Sequence, residues 1–294
     1  MDKLQPFLKW AGGKRQLLPQ IRKHAPENFK RYFEPFVGAG AVLFDITPKQ
    51  ALINDTNEEL INVYNVIKDK EKIELLINHL KTHVNKEEYF YDIRKLDRKD
   101  SFNNLADYKK ASRFIYLNKT CYNGLYRVNS KGHFNVPFGR YKNPQYVNEA
   151  VLRKVHSYLN DNRIEIMNTD FEEAVEGAEA GDFIYLDPPY DPISKTSTFT
   201  EYSKGGFNRD EQIRLRDTFI DLYKRGCYVL LSNSNTDFIN SIYDYPEFLN
   251  IKVNANRSIN SNKNGRGKIK EVLIVGDGTK NFKRQSLGKD FQQV

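Results

Sequence analysis

The sequence predicts an α/β protein, a mainly parallel sheet of alternating strands and helices interrupted by a long, mainly helical insertion. Three observations predict it. Apolar strand candidates alternate with helical stretches in the first and last parts of the chain. Between them the apolar residues follow a helical period, with no strand pattern. Small or acidic residues, Gly38, Gly40, Asp55, Asp170 and Asp187, follow the strand candidates, which is where ligands collect in open parallel sheets.

Taken in order, Tyr32 to Phe36 reads as a short strand that runs into the turn Val37-Gly38-Ala39-Gly40, and Ala41 to Phe44 starts a short helix. Ala51-Leu52-Ile53 is a second strand, ending at Asn54-Asp55. From Asn57 to about Asp100 the pattern is helical, with Leu60, Ile61, Tyr64 and Ile67 on one stripe and Ile73, Leu76, Ile77 and Leu80 on the next. A further helix over Tyr108 to Leu117 leads into a Gly- and Asn-rich basic segment, 119–142. Alternation resumes with strand Arg163 to Met167, helix Phe171 to Glu176, strand Phe183 to Leu186, helix Asp210 to Arg225 and strand Cys227 to Leu231. Phe248 to Val253 and Glu271 to Val275 flank an Asn/Ser/Gly-rich loop, a pattern that closes a sheet as a hairpin. The expected division is a catalytic domain of residues 1–56 and 160–294 around an inserted domain of 57–159.

The 294 residues suffice for such a core plus insertion. No apolar run approaches the roughly 18 residues of a membrane span, and the first residues lack the apolar centre of a signal peptide, so no membrane association and a cytoplasmic location are expected. Cys121 and Cys227 have no companion at metal-ligand spacing. Neither a disulfide framework nor a metal site is expected, and the five histidines are assigned no role.

The net charge of +8 is localised. Lys119, Arg127, Lys131, Arg140 and Lys142 fall in one stretch without an acid, and Lys252, Arg257, Lys263, Arg266, Lys268 and Lys270 in another, between Phe248 and Lys270. These eleven cations exceed the whole surplus, so the protein is polarised rather than uniformly basic. Interleaved with Tyr122, Tyr126, Phe134, Phe138 and Tyr141, they suit phosphates and bases.

Two segments carry chemistry. A glycine turn after a strand lets backbone approach a ligand, and an acid after the next strand can accept from ribose hydroxyls; Asp55 follows Gly38 by 17 residues. The turn lacks the three-glycine spacing of a dinucleotide site. The stronger segment is Asp187-Pro188-Pro189-Tyr190, after the apolar strand Phe183-Ile184-Tyr185-Leu186. Two prolines hold φ fixed and offer carbonyls without amide donors. The Asp187 carboxylate and the Pro188 carbonyl can each accept one N–H of an exocyclic amino group, and the Tyr190 ring can stack on a planar base.

With those residues in view, the sequence resembles the Dam family of DNA adenine methyltransferases, of the class ordered cofactor motif, target-recognition region, catalytic motif. The matching segments are Phe7-Leu8-Lys9-Trp10-Ala11-Gly12-Gly13-Lys14, Glu34-Pro35-Phe36-Val37-Gly38-Ala39-Gly40, Asn54-Asp55, Tyr122-Asn123-Gly124-Leu125 with Arg127, Phe134-Asn135-Val136-Pro137-Phe138-Gly139-Arg140-Tyr141, and Asp187-Pro188-Pro189-Tyr190. The resemblance implies a Rossmann-like S-adenosylmethionine-dependent methyltransferase sheet with an inserted helical DNA-recognition domain carrying a hairpin loop. It implies a cofactor pocket of Trp10, Lys14, Phe36, Gly38, Asp55, Asp170, Phe171 and Asp187, with Asp187, Pro188 and Tyr190 at the reacting amine. It also implies that Tyr122 wedges into the base stack, that Asn123 attends the orphaned base, and that Leu125, Arg127 and Pro137 read base edges. Lys9 assists from outside the insertion and Arg140 contacts the DNA. The implied substrate is double-stranded DNA at GATC, without a metal, and a restriction endonuclease partner stays open. Other readings also stay open: a methyltransferase acting on cytosine N4 or on RNA, a silent DNA-binding protein on the same scaffold, and a dehydrogenase.

Overall fold

The computed structural model describes residues 4–10, 14–193, 207–256 and 268–280. Ala11-Gly12-Gly13 of the N-terminal match, Arg257, Lys263 and Arg266 of the second basic stretch, and the side chains of Lys268 and Lys270 lie outside the described residues. The chain divides into two compact units, one of Met1–Arg15, Val37–Thr47 and Asp55–Asn168, the other of Gln16–Phe36, Pro48–Asn54 and Thr169–Val294.

The second unit is built on strands β1 (Tyr32–Glu34), β2 (Gln50–Asn54), β4 (Phe183–Leu186), β5 (Tyr228–Ser234), β6 (Phe248–Asn256) and β7 (Lys268–Asp277). β3 (Arg163–Met167) falls in the first unit. β2, β1, β4 and β5 lie side by side and parallel, and β7 and β6 continue from β5 as an antiparallel pair. This is the α/β class read from the sequence, with the tail hairpin where the pattern put it. β4 is buried along its whole length, the signature of a central parallel strand covered on both faces. Its core partners include Phe33, Val229, Leu231, Val272 and Ile274 from neighbouring strands and Leu215, Phe219 and Leu222 from the helix Arg209–Lys224. That helix starts where Asn208 accepts from the Glu211 amide at 3.0 Å, an N-cap followed by acids in its first turn.

The first unit is mainly helical: α3 (Glu58–Lys68), α4 (Lys72–Lys81), α5 (Glu87–Arg94), α6 (Asp107–Thr120) and α7 (Glu149–Asp161), with a short α2 (Leu43–Ile46). The Leu60/Ile61/Tyr64/Ile67 and Ile73/Leu76/Ile77/Leu80 stripes are buried as their spacing requires. α6 differs, because Ala111 to Asn118 and Thr120 are all buried. A helix covered on every side must satisfy its polar residues internally. Ser112 meets two histidines, Arg113 two acids, Asn118 two backbone segments, and Thr120 donates to the Tyr116 carbonyl.

Three features depart from the sequence reading. α7 and α1 (Leu18–His24) lie outside the helices that the sequence pattern predicts, although Val151, Leu152, Val155 and Leu159 repeat at helical spacing behind an Asn148 cap. His79 and His83 lie four residues apart near the end of α4, a spacing that the assignment of no role overlooked. They bind the same hydroxyl, with His79 Nδ1 2.8 Å and His83 Nε2 2.9 Å from Ser112 Oγ, and His83 Nδ1 2.8 Å from the Tyr89 hydroxyl. Among the described residues no group of three or more His, Cys, Asp or Glu could hold a metal, and no helix is long and apolar enough to cross a membrane.

Candidate active site

In the second unit the catalytic candidate grows out of β4. Leu186 pairs with Leu231, so the residues that come next, Asp187 just after β4 and Ser232 within β5, are neighbours. Ser232 Oγ donates to Asp187 Oδ1 at 2.8 Å, and because a serine hydroxyl has one proton, the Tyr185 hydroxyl 3.0 Å away must donate to Ser232. Tyr185 is fully buried, and burial with the nearby Asp187 charge holds its phenol far above the usual range, so it stays a donor. The relay Tyr185 to Ser232 to Asp187 fixes one carboxylate oxygen from behind.

The rest of the loop is equally anchored. Gln212, on the helix Arg209–Lys224, donates from Nε2 to the Pro189 carbonyl at 2.8 Å. Its Oε1 accepts from Asn233 Nδ2 at 3.0 Å, and Asn233 Oδ1 accepts from the Asp191 amide at 3.1 Å. Gln212 is 1 % and Asn233 0 % exposed; neither was singled out in the sequence, and both complete their hydrogen bonds on this loop and on each other. Asp191, itself buried, takes the Thr236 hydroxyl at 2.7 Å and Arg209 Nε at 3.3 Å. Tyr190 is tied at its hydroxyl to Glu271 at 3.2 Å. Burial, reinforced by Asp187, holds its phenol protonated far above neutrality.

Phe36 and Phe171 sit together, ring centroids 5.5 Å apart, with Phe207 edge-on to Phe36. Asp170 caps the short helix Phe171–Val175 by accepting from the Glu172 amide at 3.0 Å and pairs with Arg214 at 2.6 Å. Both residues thus have structural work. The fully buried Asn54 donates to the Pro35 and Thr169 carbonyls at 3.0 Å each, joining the segments that follow β1, β2 and β3.

The first unit holds Trp10, Lys14, Gly38 and Asp55 of the expected cofactor residues. Gly38 has φ +49°, and a Cβ there would stand 2.7 Å from Trp10 Cδ1. The indole therefore lies against bare backbone, a cradle that any larger residue would fill. Trp10 packs against both Phe114 and Tyr126, with centroids 6.2 and 5.7 Å away, and those two rings are 5.2 Å from each other. Asp55 accepts from the Gly38 amide at 3.1 Å and from the Asn57 amide at 2.9 Å, while burial raises its carboxyl against those two bonds. The Tyr64 hydroxyl donates to the Gly38 carbonyl at 3.0 Å. Lys14 is 5 % exposed.

The first basic stretch forms a hairpin, bridged at Cys121 with Phe138 and at Val128 with Phe134. Its base is anchored from α5 and the turn after it. The Phe134 amide donates to Asp97 at 2.7 Å, Arg98 to the Phe134 carbonyl at 3.1 Å and Arg94 to the Val136 carbonyl at 3.1 Å. Arg113 in turn pairs with Asp97 at 2.6 Å and Glu59 at 3.1 Å. Tyr122, Arg127, Pro137 and Arg140 are exposed, Asn123 (φ 55°) is half-buried, and Leu125 packs partly into the cluster of Phe90, Tyr116 and Phe134. Arg127 Nε bonds to Asn135 Oδ1 at 2.7 Å, which braces one edge of a five-donor guanidinium. Arg140 pairs with Glu87 at 3.3 Å, and Lys9 Nζ lies 4.3 Å over the Tyr141 ring.

Residues 10–259 match the family model described as D12 class N6 adenine-specific DNA methyltransferase. The chain is 46 % identical over 277 residues to a Type II methyltransferase (M1.LlaDCHI) of Lactococcus lactis subsp. cremoris, covering 94 % of this chain and 96 % of that one. It is 44 % identical over 293 residues to a Type II methyltransferase (M.MjaIII) of Methanocaldococcus jannaschii, covering 92 % and 99 %. To a DNA adenine methylase of Vibrio cholerae serotype O1 the identity is 38 % over 281 residues, covering 94 % and 97 %. The chain belongs to the D12 class of N6 adenine-specific DNA methyltransferases.

Proposed function

We propose that the protein transfers a methyl group from S-adenosylmethionine to the 6-amino group of adenine within GATC in double-stranded DNA. One observation carries the chemistry. An acidic side chain at the end of a central parallel strand is held at one oxygen by a buried serine, in a loop whose carbonyl and amide are fastened by Gln212 and Asn233. Such a carboxylate is preorganised to accept from an amine rather than to search for it.

The residues fit the cofactor by their chemistry: a glycine cradle under Trp10, an acid at Asp55 with further lone pairs on both oxygens, and the Phe36 and Phe171 rings. Lys14, Asp170 and Asp187 are assigned to the same pocket. When bound, S-adenosylmethionine supplies an electrophilic methyl group on a sulfonium. Asp187 and the Pro188 carbonyl accept the two amino hydrogens, which directs the nitrogen lone pair toward the methyl carbon. Tyr190 stacks on the adenine, which must leave the duplex because its amino group is otherwise paired. Asp187 would accept the proton that the amine gives up once the methyl group's bond to sulfur is exchanged for a bond to nitrogen. No covalent bond to the enzyme is needed.

Residues 57–159 serve as the target-recognition domain and residues 1–56 with 160–294 as the catalytic domain. Tyr122, Asn123, Leu125, Arg127, Pro137 and Lys9 read or brace the site, and Arg140 contacts the phosphates. The exposed Arg127 suits bidentate recognition of guanine, and Leu125 and Pro137 suit a thymine methyl. The Type II names of two relatives support a restriction endonuclease of the same system as a partner. The test is Asp187→Ala: methyl transfer should vanish while duplex affinity stays within a few-fold, and turnover near the wild-type rate would reject the assignment.

A further inference from the structure

Asn118 lies near the end of α6, 2 % exposed, and nothing in its sequence context marks it. Its side-chain amide makes three hydrogen bonds, all to backbone. Oδ1 accepts from the Lys9 amide at 2.9 Å, and Nδ2 donates to the Lys9 carbonyl at 2.7 Å and to the Gly124 carbonyl at 3.2 Å. It therefore pairs with Lys9 as a neighbouring strand would, using one donor and one acceptor, and spends its second N–H on the turn that follows Asn123.

The junction it ties is close-packed. Gly124 has φ +63°, and a Cβ there would fall 2.4 Å from Lys9 Cδ and 2.5 Å from Lys9 Cβ. The turn backbone thus presses directly on the Lys9 side chain, and Asn123 beside it is also left-handed at φ 55°. The Tyr122 amide is fixed at the same time by the Pro137 carbonyl at 2.8 Å, and Lys9 Nζ lies over Tyr141. Lys9 and the turn are more than a hundred residues apart in sequence, so no local structure could hold their relative position; the Asn118 amide does.

We propose that Asn118 is a specificity-determining positioning residue, which locks Lys9 to the Tyr122-Asn123-Gly124-Leu125 turn so that both reach the DNA as one rigid reader. The proposal rests on the assignment of Lys9 and this turn to base recognition. A lysine on a loose segment would still attract phosphate but would not discriminate between bases, because base readout requires fixed donor geometry while phosphate contact does not. Aspartate at this position would replace the donor to two carbonyls by an acceptor, so Asn118→Asp should be worse than Asn118→Ala.

The experiment compares wild type, Asn118→Ala, Lys9→Ala and the double variant on a GATC duplex and on duplexes altered at each single base, with cofactor affinity and thermal midpoint measured alongside. Expected is a loss of discrimination of roughly tenfold at the base read by Lys9, the size of one good base contact. The loss should appear mainly in KM for DNA rather than in kcat, with cofactor affinity unchanged. The double variant should lose little more than either single one, because both changes remove the same reader. Gly124→Ala, which disturbs the junction from the other side, should give the same loss and serves if Asn118→Ala does not fold. Unchanged discrimination in whichever variant folds, or fully additive losses in the double variant, overturns the proposal while leaving the recognition reading intact. A wild-type enzyme that does not discriminate at all overturns both.

Discussion

Removing the Ser232 hydroxyl should slow methyl transfer by roughly ten- to a hundredfold without loosening either substrate. The structure sets the size. Ser232 Oγ is fully buried and stands 2.8 Å from Asp187 Oδ1, so Ser232→Ala deletes one hydrogen bond to a charged group, worth about 1.5–3 kcal/mol. At about 1.4 kcal/mol per decade of rate, that range converts to the stated loss if the bond acts through the geometry of the carboxylate. Tyr185→Phe removes the donor one step further back and a neutral bond, so its effect should be several-fold at most. The assay is single-turnover transfer of a labelled methyl group to a duplex, with cofactor and DNA affinities measured separately. A Ser232→Ala enzyme that transfers at the wild-type rate, or a Tyr185→Phe enzyme slower than Ser232→Ala, would refute the relay.

Three further outcomes follow from the same geometry. Gly38→Ala places a methyl group 2.7 Å from Trp10 at φ +49°, so S-adenosylmethionine affinity should fall at least about tenfold; calorimetric titration giving the wild-type Kd would remove Gly38 from the pocket. Arg113→Ala leaves Asp97 and Glu59 without their shared buried partner and should cost about 3–5 kcal/mol in denaturant unfolding, with the hairpin amides exchanging fastest; a change below about 1 kcal/mol would contradict it. Burial, reinforced by His79, pushes the His83 imidazole down to about 4 from 6.5. The folded state therefore binds fewer protons than the unfolded chain between those values, and stability should fall by about 2 kcal/mol from pH 7 to pH 5 through this group. His83→Gln should flatten that slope, and an unchanged slope would reject the assignment.

What was legible in the sequence was local. The apolar run Phe183-Ile184-Tyr185-Leu186 reads as a buried strand, and Asp187-Pro188-Pro189-Tyr190 announces a stiff exit from it. The glycine turn and Asp55 follow from the same logic, and the structure joins them through the Gly38 amide. What stayed hidden are polar residues whose partners are far along the chain. Asn118, Gln212, Ser232 and Asn233 look like ordinary residues of a helix or strand, and only the fold shows that each is buried and completes its hydrogen bonds on a loop. α7 is less legible for a different reason, because its apolar stripe follows directly on the irregular Gly- and Asn-rich segment. Asp170 carries bonds that its sequence context does not show: besides its assignment to the cofactor pocket, it caps a helix and pairs with Arg214.

The most direct test supplies methyl-labelled S-adenosylmethionine and two duplexes, one containing GATC and one with its adenine replaced, and identifies the labelled nucleoside after digestion. Label is expected in N6-methyladenine from the GATC duplex alone. Label from both duplexes would contradict the site, and label in cytosine or in no DNA would contradict the proposed reaction itself.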